Sequence, residues 1–462
     1  MTLRTFALLA ALAAIGAGCS FTKFDDFEDK APAAKIEQSG DIKSGTWGLE
    51  IATMPRANSD GVVQEGALML VAGNAKVSIS NIAFSNDGTF ANSQSSSDDI
   101  TDDQKFGDPD RIYTMVSAAG LTPAAGGAFN GPFAYVGKIR GQIGSVLVMD
   151  VNRYEGPAIL RQNDLSANPA GFGVGIARCA IKGGSTKSDD LIIGGNGSVT
   201  LWPAQNWPVF QPDDALTITD GTGWPSTGEF SVLAAGDIDL STPEDEIVVA
   251  SPEKNYVAII HHVADCLTNK SCANITQIPL PDKANGFGTA VLLADVDGDQ
   301  RLELVVGAPD TDSQRGAVYV YKLENDNFDL NTPKAIAEPT VLSPTNEQEG
   351  REFGTSLAFG DLEGPGKKKL LAVGAPASDV ASSDQTTANA AGKIFFYDKA
   401  KDFVSTAVLA TPVERDRLGR ALKVLPFKRG DTTYDVLVSS AVSGLYAFWA
   451  FLTPDHDDVR GQ

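Results

Sequence analysis

The sequence predicts an all-β protein whose repeated sheets close radially into a seven-bladed β-propeller, and three observations predict it. Short Val/Ile/Leu runs recur between Gly, Asn, Asp and Pro clusters, with 46 glycines and 24 prolines in 462 residues, and helix-period apolar stretches are scarce beyond the first 20 residues. That is the pattern of strands and turns. A unit of roughly sixty residues repeats along the chain, the period expected of stacked or radial repeats. Its openings stand at Phe172, Phe230, Phe287, Phe353 and Leu418, and the same spacing extends back to Trp47 and Phe106. A single small sheet cannot bury both of its faces, so repeats of this kind cover one another, and closing the circle removes exposed ends. The units before Phe172 are weak enough that six or eight blades also fit.

The first 19 residues, "MTLRTFALLAALAAIGAGC", carry Arg4, an apolar run from Phe6 to Ile15 and then small residues ending in Cys19. The run is too short to span a bilayer as a mature helix and reads as an export signal. Ala17, Gly18 and Cys19 resemble the lipobox of bacterial lipoproteins, although Gly16 stands where an aliphatic residue is usual. The resemblance implies lipidation of Cys19 after cleavage. Ser20, an uncharged residue after the cysteine, implies by the same analogy an outer-membrane lipoprotein, facing the cell surface or the periplasm. Residues 20–45 are polar and acidic and read as a tether, within which "KIEQ" is also a candidate closing strand. The propeller is expected over 46–452, followed by a polar tail at 453–462.

The clearest repeat runs from Phe287 to Lys322: "FGTAVLLADVDGDQRLELVVGAPDTDSQRGAVYVYK". It reads as Phe-Gly, strand, acidic loop, strand, polar loop, strand. "FGTSLAFGDLEGPGKKKLLAVGAP" from Phe353 is the next copy, "FSVLAAGDIDLSTPEDEIVVASP" from Phe230 the preceding one, and the copies at Phe172 and Leu418 are further decayed. The small residues at 307–309 and 374–376 are expected to form tight reversals near the axis. The Phe-Gly opener, the acidic loop and "VVGAP" followed by "GAVYVY" resemble FG-GAP repeats, which build the seven-bladed propeller of integrin α-subunits and of many bacterial surface proteins.

"DVDGDQRLE" sets carboxylates at Asp295, Asp297, Asp299 and Glu303. A hard cation such as calcium takes six to eight oxygens at about 2.3–2.6 Å from a flexible loop, and alternate residues of a tight loop can point inward together. Gly298 permits the sharp turn between ligands, and the backbone carbonyl of Arg301 is the expected fifth donor. Four carboxylates gathered without a cation repel one another, so the loop is expected to order around its ion. The plain alternative is an acidic hairpin turn. The resemblance implies calcium at these positions, with Glu303 where Asp is commoner. In "DIDLSTPEDE", Asp237, Asp239, Ser241 and Asp245, or Glu246 one residue later, form a weaker second candidate. In "DLEGPGKKK", Asp361 and Glu363 face Pro365 and Lys369, and Lys369 is expected to replace the metal charge. "KGGSTKSDD" and "FKRGDTTYD" read as structural turns.

The net charge of −22 and isoelectric point near 4.5 argue against a nucleic-acid partner, since phosphate binding needs a basic face. "GFGVGI" at 171–176 imitates a nucleotide-binding glycine loop, but its place at a repeat opening with no helix following makes it a turn and strand, so no nucleotide is expected. Cys266 and Cys272, in the polar stretch "ADCLTNKSCAN", are expected to form a disulfide outside the cytosol, and Cys179 to be a buried thiol. His261 and His262, on consecutive strand positions, point to opposite faces and do not share a metal.

The expected function is a lipid-anchored, calcium-binding, non-catalytic scaffold for an extracellular protein or glycan. The polar loops at 92–103, 310–315 and 378–391 are candidate contact edges. The competing class is a polysaccharide-acting hydrolase or lyase with paired carboxylates in the central funnel. Cys19→Ser is expected to release the protein from the membrane fraction; a variant that still sediments with membranes sinks the anchor.

Overall fold

The computed structural model describes residues 33–36, 50–57, 63–73, 76–84, 90–99, 111–117, 133–140, 143–150, 158–163, 169–181, 190–203, 212–220, 223–240, 242–323, 338–344, 350–381 and 386–448. The export signal with Cys19, the openers Trp47 and Phe106, and the tail at 453–462 lie outside the described residues. Among the described residues, no helix is long and apolar enough to cross a membrane.

The protein is an all-β propeller. Each clear repeat forms an antiparallel four-stranded sheet in simple up-and-down order. The Phe287 repeat supplies Ala290–Ala294, Glu303–Ala308, Ala317–Tyr321 and Thr340–Leu342. The Phe230 repeat supplies Val232–Gly236, Glu246–Ser251, Tyr256–Ile260 and Ile275–Gln277. In the Phe353 repeat, Ser356–Gly360, Leu370–Ala375, Lys393–Asp398 and Asp402–Ala407 form the sheet, and a two-stranded hairpin, Val380–Ala381 with Thr387–Ala388, interrupts the segment at 378–391 that reads as a loop. The Phe172 repeat enters its sheet through a turn at 171–174 and begins it with Gly175–Cys179.

The expected count of seven separate blades is corrected. Among the described residues, five sheets stand alone with four strands each, and eight further strands form one continuous sheet. In it, Leu422–Arg429, Thr432–Ala441, Gly444–Phe448 and Ala33–Ile36 join Glu50–Ala57, Val63–Gly73, Lys76–Phe84 and Phe90–Asp99 through one bridge, Lys428↔Gly66. Gly66, at φ +93°, sits where a Cβ would stand 2.5 Å from the Ile82 carbonyl oxygen of the neighbouring strand. Ala33–Ile36, inside the stretch that composition assigns to a tether, pairs antiparallel with Gly444–Phe448 from Ala33↔Phe448 to Ile36↔Leu445. Most of the proposed contact loop at 92–103 belongs to the strand Phe90–Asp99.

The central strands are buried on both faces, which is why they read as continuous apolar runs. In Glu303–Ala308, Leu304, Val306 and Ala308 pack with Val248, Ala250, Val257 and Ile259 of the preceding sheet. Val305 packs with Leu371, Val373 and Phe395 of the following one. The same alternation closes the circle, where Ile51, Met69 and Val71 meet Leu425, Val436 and Leu445.

Each opener among the described residues is fully buried. Phe287 stands edge-on to Tyr319 at 5.8 Å, Phe353 to Phe395 at 5.3 Å, and Phe230 to Tyr256 at 6.1 Å. Such pairs contribute about 0.5–1.5 kcal/mol beyond their area. The glycine of Gly-Ala-Pro has a different role from the one expected. Gly307 lies within the ladder, paired with Ala290, not in a reversal. A Cβ there would stand 2.0 Å from the carbonyl oxygen of Gly354 in the next opener, at Gly374 2.2 Å from that of Gly419, and at Gly194 1.8 Å from that of Phe230. Gly307→Ala is therefore expected to destabilise the protein by about 3 kcal/mol through overpacking against backbone, read as a lower urea midpoint; an unchanged midpoint overturns the junction.

Candidate metal centre

The acidic loop joins the strands Ala290–Ala294 and Glu303–Ala308, and the pair Ala294↔Glu303 closes its neck. Gly298, at φ +84° with open space around it, makes the turn. The loop holds itself by side-chain to backbone bonds, the usual means by which Asp stabilises a turn. The N–H groups of Gly298 and Gln300 donate to Asp295 Oδ1 and Oδ2 at 2.7 and 3.0 Å. The Asp299 N–H donates to Asp297 Oδ1 at 3.1 Å, and that of Arg301 to Asp299 Oδ1 at 2.9 Å.

Glu303 is 2% exposed at the strand entrance, and its Oε2 accepts from the Val296 N–H at 2.9 Å. Carboxylate oxygens of Asp295, Asp297 and Glu303 lie within 4.8 Å of one another. Asp299 stands outside that trio, its Oδ2 3.9 Å from Lys322 Nζ. Burial pushes the Glu303 carboxyl up to about 7, and the charges of Asp297 and Asp299 add to the rise. An all-oxygen set of crowded carboxylates fits a hard divalent cation, which would offset both causes at once. Asp295, Asp297 and Glu303 would be the core ligands, with Asp299 and the backbone at Arg301 near the rim.

The second candidate is rearranged relative to expectation. Asp245 does not face its own loop: its Oδ2 accepts from the Ala180 N–H of the preceding repeat at 2.7 Å, and its N–H donates back to the Ala180 oxygen at 3.0 Å. Glu246 takes the place that Glu303 holds in the next repeat, accepting from the Ile238 and Asp239 N–H groups, both at 2.8 Å. Burial pushes it up to about 7, with Asp239 and Asp237 contributing. Ser241 lies outside the described residues. Asp237, Asp239 and Asp245 are not among the carboxylates that converge as closely as those of the Phe287 loop.

In the Phe353 repeat, the register Gly360↔Leu370 puts leucine where Glu303 stands. Asp361 is held through its backbone, its N–H donating to Asp435 of the next repeat at 2.9 Å. The Lys369 ammonium lies over the Phe359 ring at 6.0 Å, a cation–π contact, and its charge also acts on Asp435, to which the Asp361 N–H donates.

Two features escaped the sequence reading. Asp190, read only as part of a turn, is 2% exposed and accepts from the Ile181 N–H at 2.9 Å, so an acid at the entrance of the second strand recurs as Asp190, Glu246 and Glu303. The signal was an acid directly before an Ile/Leu/Val run. Lys322, just past the third strand, also reaches the loop, its ammonium in contact with Asp297 Oδ2.

Cys266 and Cys272 are joined by a disulfide, and Cys179 is a buried thiol. The stretch read as a polar loop there contains a short helix, Val263–Asn269. The strand Tyr256–Ile260 ends before His261 and His262, so they are not consecutive strand positions; burial pushes His261 down to about 4, and His262 adopts a left-handed backbone at φ +48°.

Residues 287–321, which contain this loop, match the FG-GAP repeat family. Comparison of the chain with curated proteins finds no match.

Asp297→Ala is expected to remove most of the thermal stabilisation that millimolar calcium confers, about 2.7 kcal/mol if free calcium stands at a hundred times Kd. Wild type and variant melting alike, with and without chelator, would exclude a metal at this loop.

Proposed function

From a chain that carries an FG-GAP repeat within a β-propeller, we propose an exported, calcium-stabilised interaction scaffold, tethered to a membrane by lipid at Cys19 and presenting its loops to an extracellular protein or glycan. A propeller of FG-GAP type supports an interaction role in general, because a rigid ring of sheets sets its loops at fixed separations without any of them moving. The observation that carries the calcium reading is the convergence of Asp295, Asp297 and Glu303 oxygens within 4.8 Å. Calcium would take those oxygens, with Asp299, the Arg301 carbonyl and water filling the remainder of its shell.

The chain carries a net charge of −22, which makes its surface anionic on balance. Such a surface favours a partner that is neutral or cationic, or one bridged by divalent ions. The disulfide Cys266–Cys272 is consistent with an oxidising compartment. The expected result of a pull-down with the full-length chain is that partners captured in calcium are lost in chelator and also lost with Glu303→Gln. A partner set that is identical in calcium, in chelator and with the variant overturns the calcium-dependent scaffold.

A further inference from the structure

The side chain of Lys322 is held by the carboxylates that the cation of this loop would need. Its ammonium touches Asp297 Oδ2 and stands 3.9 Å from Asp299 Oδ2. The strand register puts it there. The ladder ends at the pair Leu304↔Tyr321, so Lys322, the next residue, leaves the strand beside Glu303, the buried carboxylate of the loop. Its position is therefore fixed by the sheet, while its long stem, with the side chain 47% exposed, leaves a path back into solvent.

The corresponding positions of the neighbouring repeats differ in step with their loops. In the Phe230 repeat the pair Ile247↔Ile260 sets the buried His261 opposite Glu246. In the Phe353 repeat Leu370 pairs with Asp398, and Asp398 holds Lys368 at 2.8 Å, so the signs are exchanged and no acid stands at the strand entrance. Among these three repeats, lysine occupies the position only where carboxylates converge.

We propose that Lys322 is a built-in counter-cation of the Asp295–Glu303 loop, which competes with calcium for Asp297 and sets the calcium concentration at which the loop fills. This rests on the calcium reading given above. A carboxylate oxygen paired to an ammonium is less available to a metal, and a divalent ion entering beside an ammonium is repelled by it. The lysine thus lowers the loop's affinity and holds its carboxylates together when calcium is scarce. The swing of one side chain exchanges the monovalent partner for the divalent one without moving the strands.

The test is calcium titration of the full chain by calorimetry, with thermal melts in chelator as a second readout, comparing wild type, Lys322→Met and Lys423→Met. Lys423 is exposed on Leu422–Arg429 and controls for the loss of one positive charge. The expected result is that Lys322→Met tightens calcium binding by up to about five-fold, the upper end set by an exposed ion pair, and melts lower than wild type in chelator, while Lys423→Met does neither. Calcium binding equally tight in wild type and Lys322→Met overturns the counter-cation and leaves the calcium site standing. Binding by Lys322→Met alone supports the lysine as a stronger block than stated. Binding by none of the three overturns both.

Discussion

The structure depends on how closely one repeat can approach the next. At Gly194, Gly307 and Gly374 the backbone oxygen of the following opener occupies the space that a side chain would fill. The openers Phe230, Phe353 and Leu418 are fully buried beside those contacts. A wedge that needs a cover and a glycine that admits it are two halves of one junction, since dense packing leaves no slack for an added methyl group. Backbone links reinforce it: the Phe353 N–H donates to the Arg315 oxygen at 3.2 Å, and the Leu418 N–H to the Ala391 oxygen at 2.8 Å. Each repeat therefore fixes the angle of the next, and small errors cannot accumulate around the ring.

The acidic loop draws its rigidity from this frame. Glu303 and Gly307 lie on one strand, the acid at its entrance and the glycine near its exit, about 13 Å apart at strand spacing. One end grips the loop through Val296, and the other is clamped by the next repeat. Asp190 and Glu246 do the same for their own loops, where carboxylates do not converge as they do at the Phe287 loop, so the buried acid is first a structural bracket, closing a turn through backbone N–H groups. The candidate metal centre is the loop in which Asp295 and Asp297 converge with that bracket. In the Phe230 repeat, the acid next to the bracket, Asp245, is instead spent on joining two repeats through Ala180.

How far the chain could be read without coordinates varied along its length. The opener, acidic loop and strands of the Phe287 repeat were legible because each carries a local rule, while the role of Gly307 was not, since it is set by the backbone of the next repeat. The choice between Asp245 and Glu246 was not legible, since alternation says that adjacent strand residues face opposite ways but not which face meets another repeat. Spacing brings Lys369 to its loop but does not show that its ammonium lies over the Phe359 ring, a contact set by the pairing of the two strands. The helix Val263–Asn269 was hidden because its polar, cysteine-bracketed composition matches a loop, and packing of Val263 and Cys266 into the neighbouring core decides the matter.

By itself the sequence determined the all-β class, the repeat and the identity of the four acids from Asp295 to Glu303, because strands, turns and loop ligands follow from short-range spacing. Only the tertiary structure decided that eight strands run on through Lys428↔Gly66 into one sheet, that Ala33–Ile36 joins the last hairpin, and that Lys322 meets Asp297. Those are contacts between residues distant in the chain or on different strands. They are set by register and by the close approach of backbones, and neither is written in the local pattern of residues.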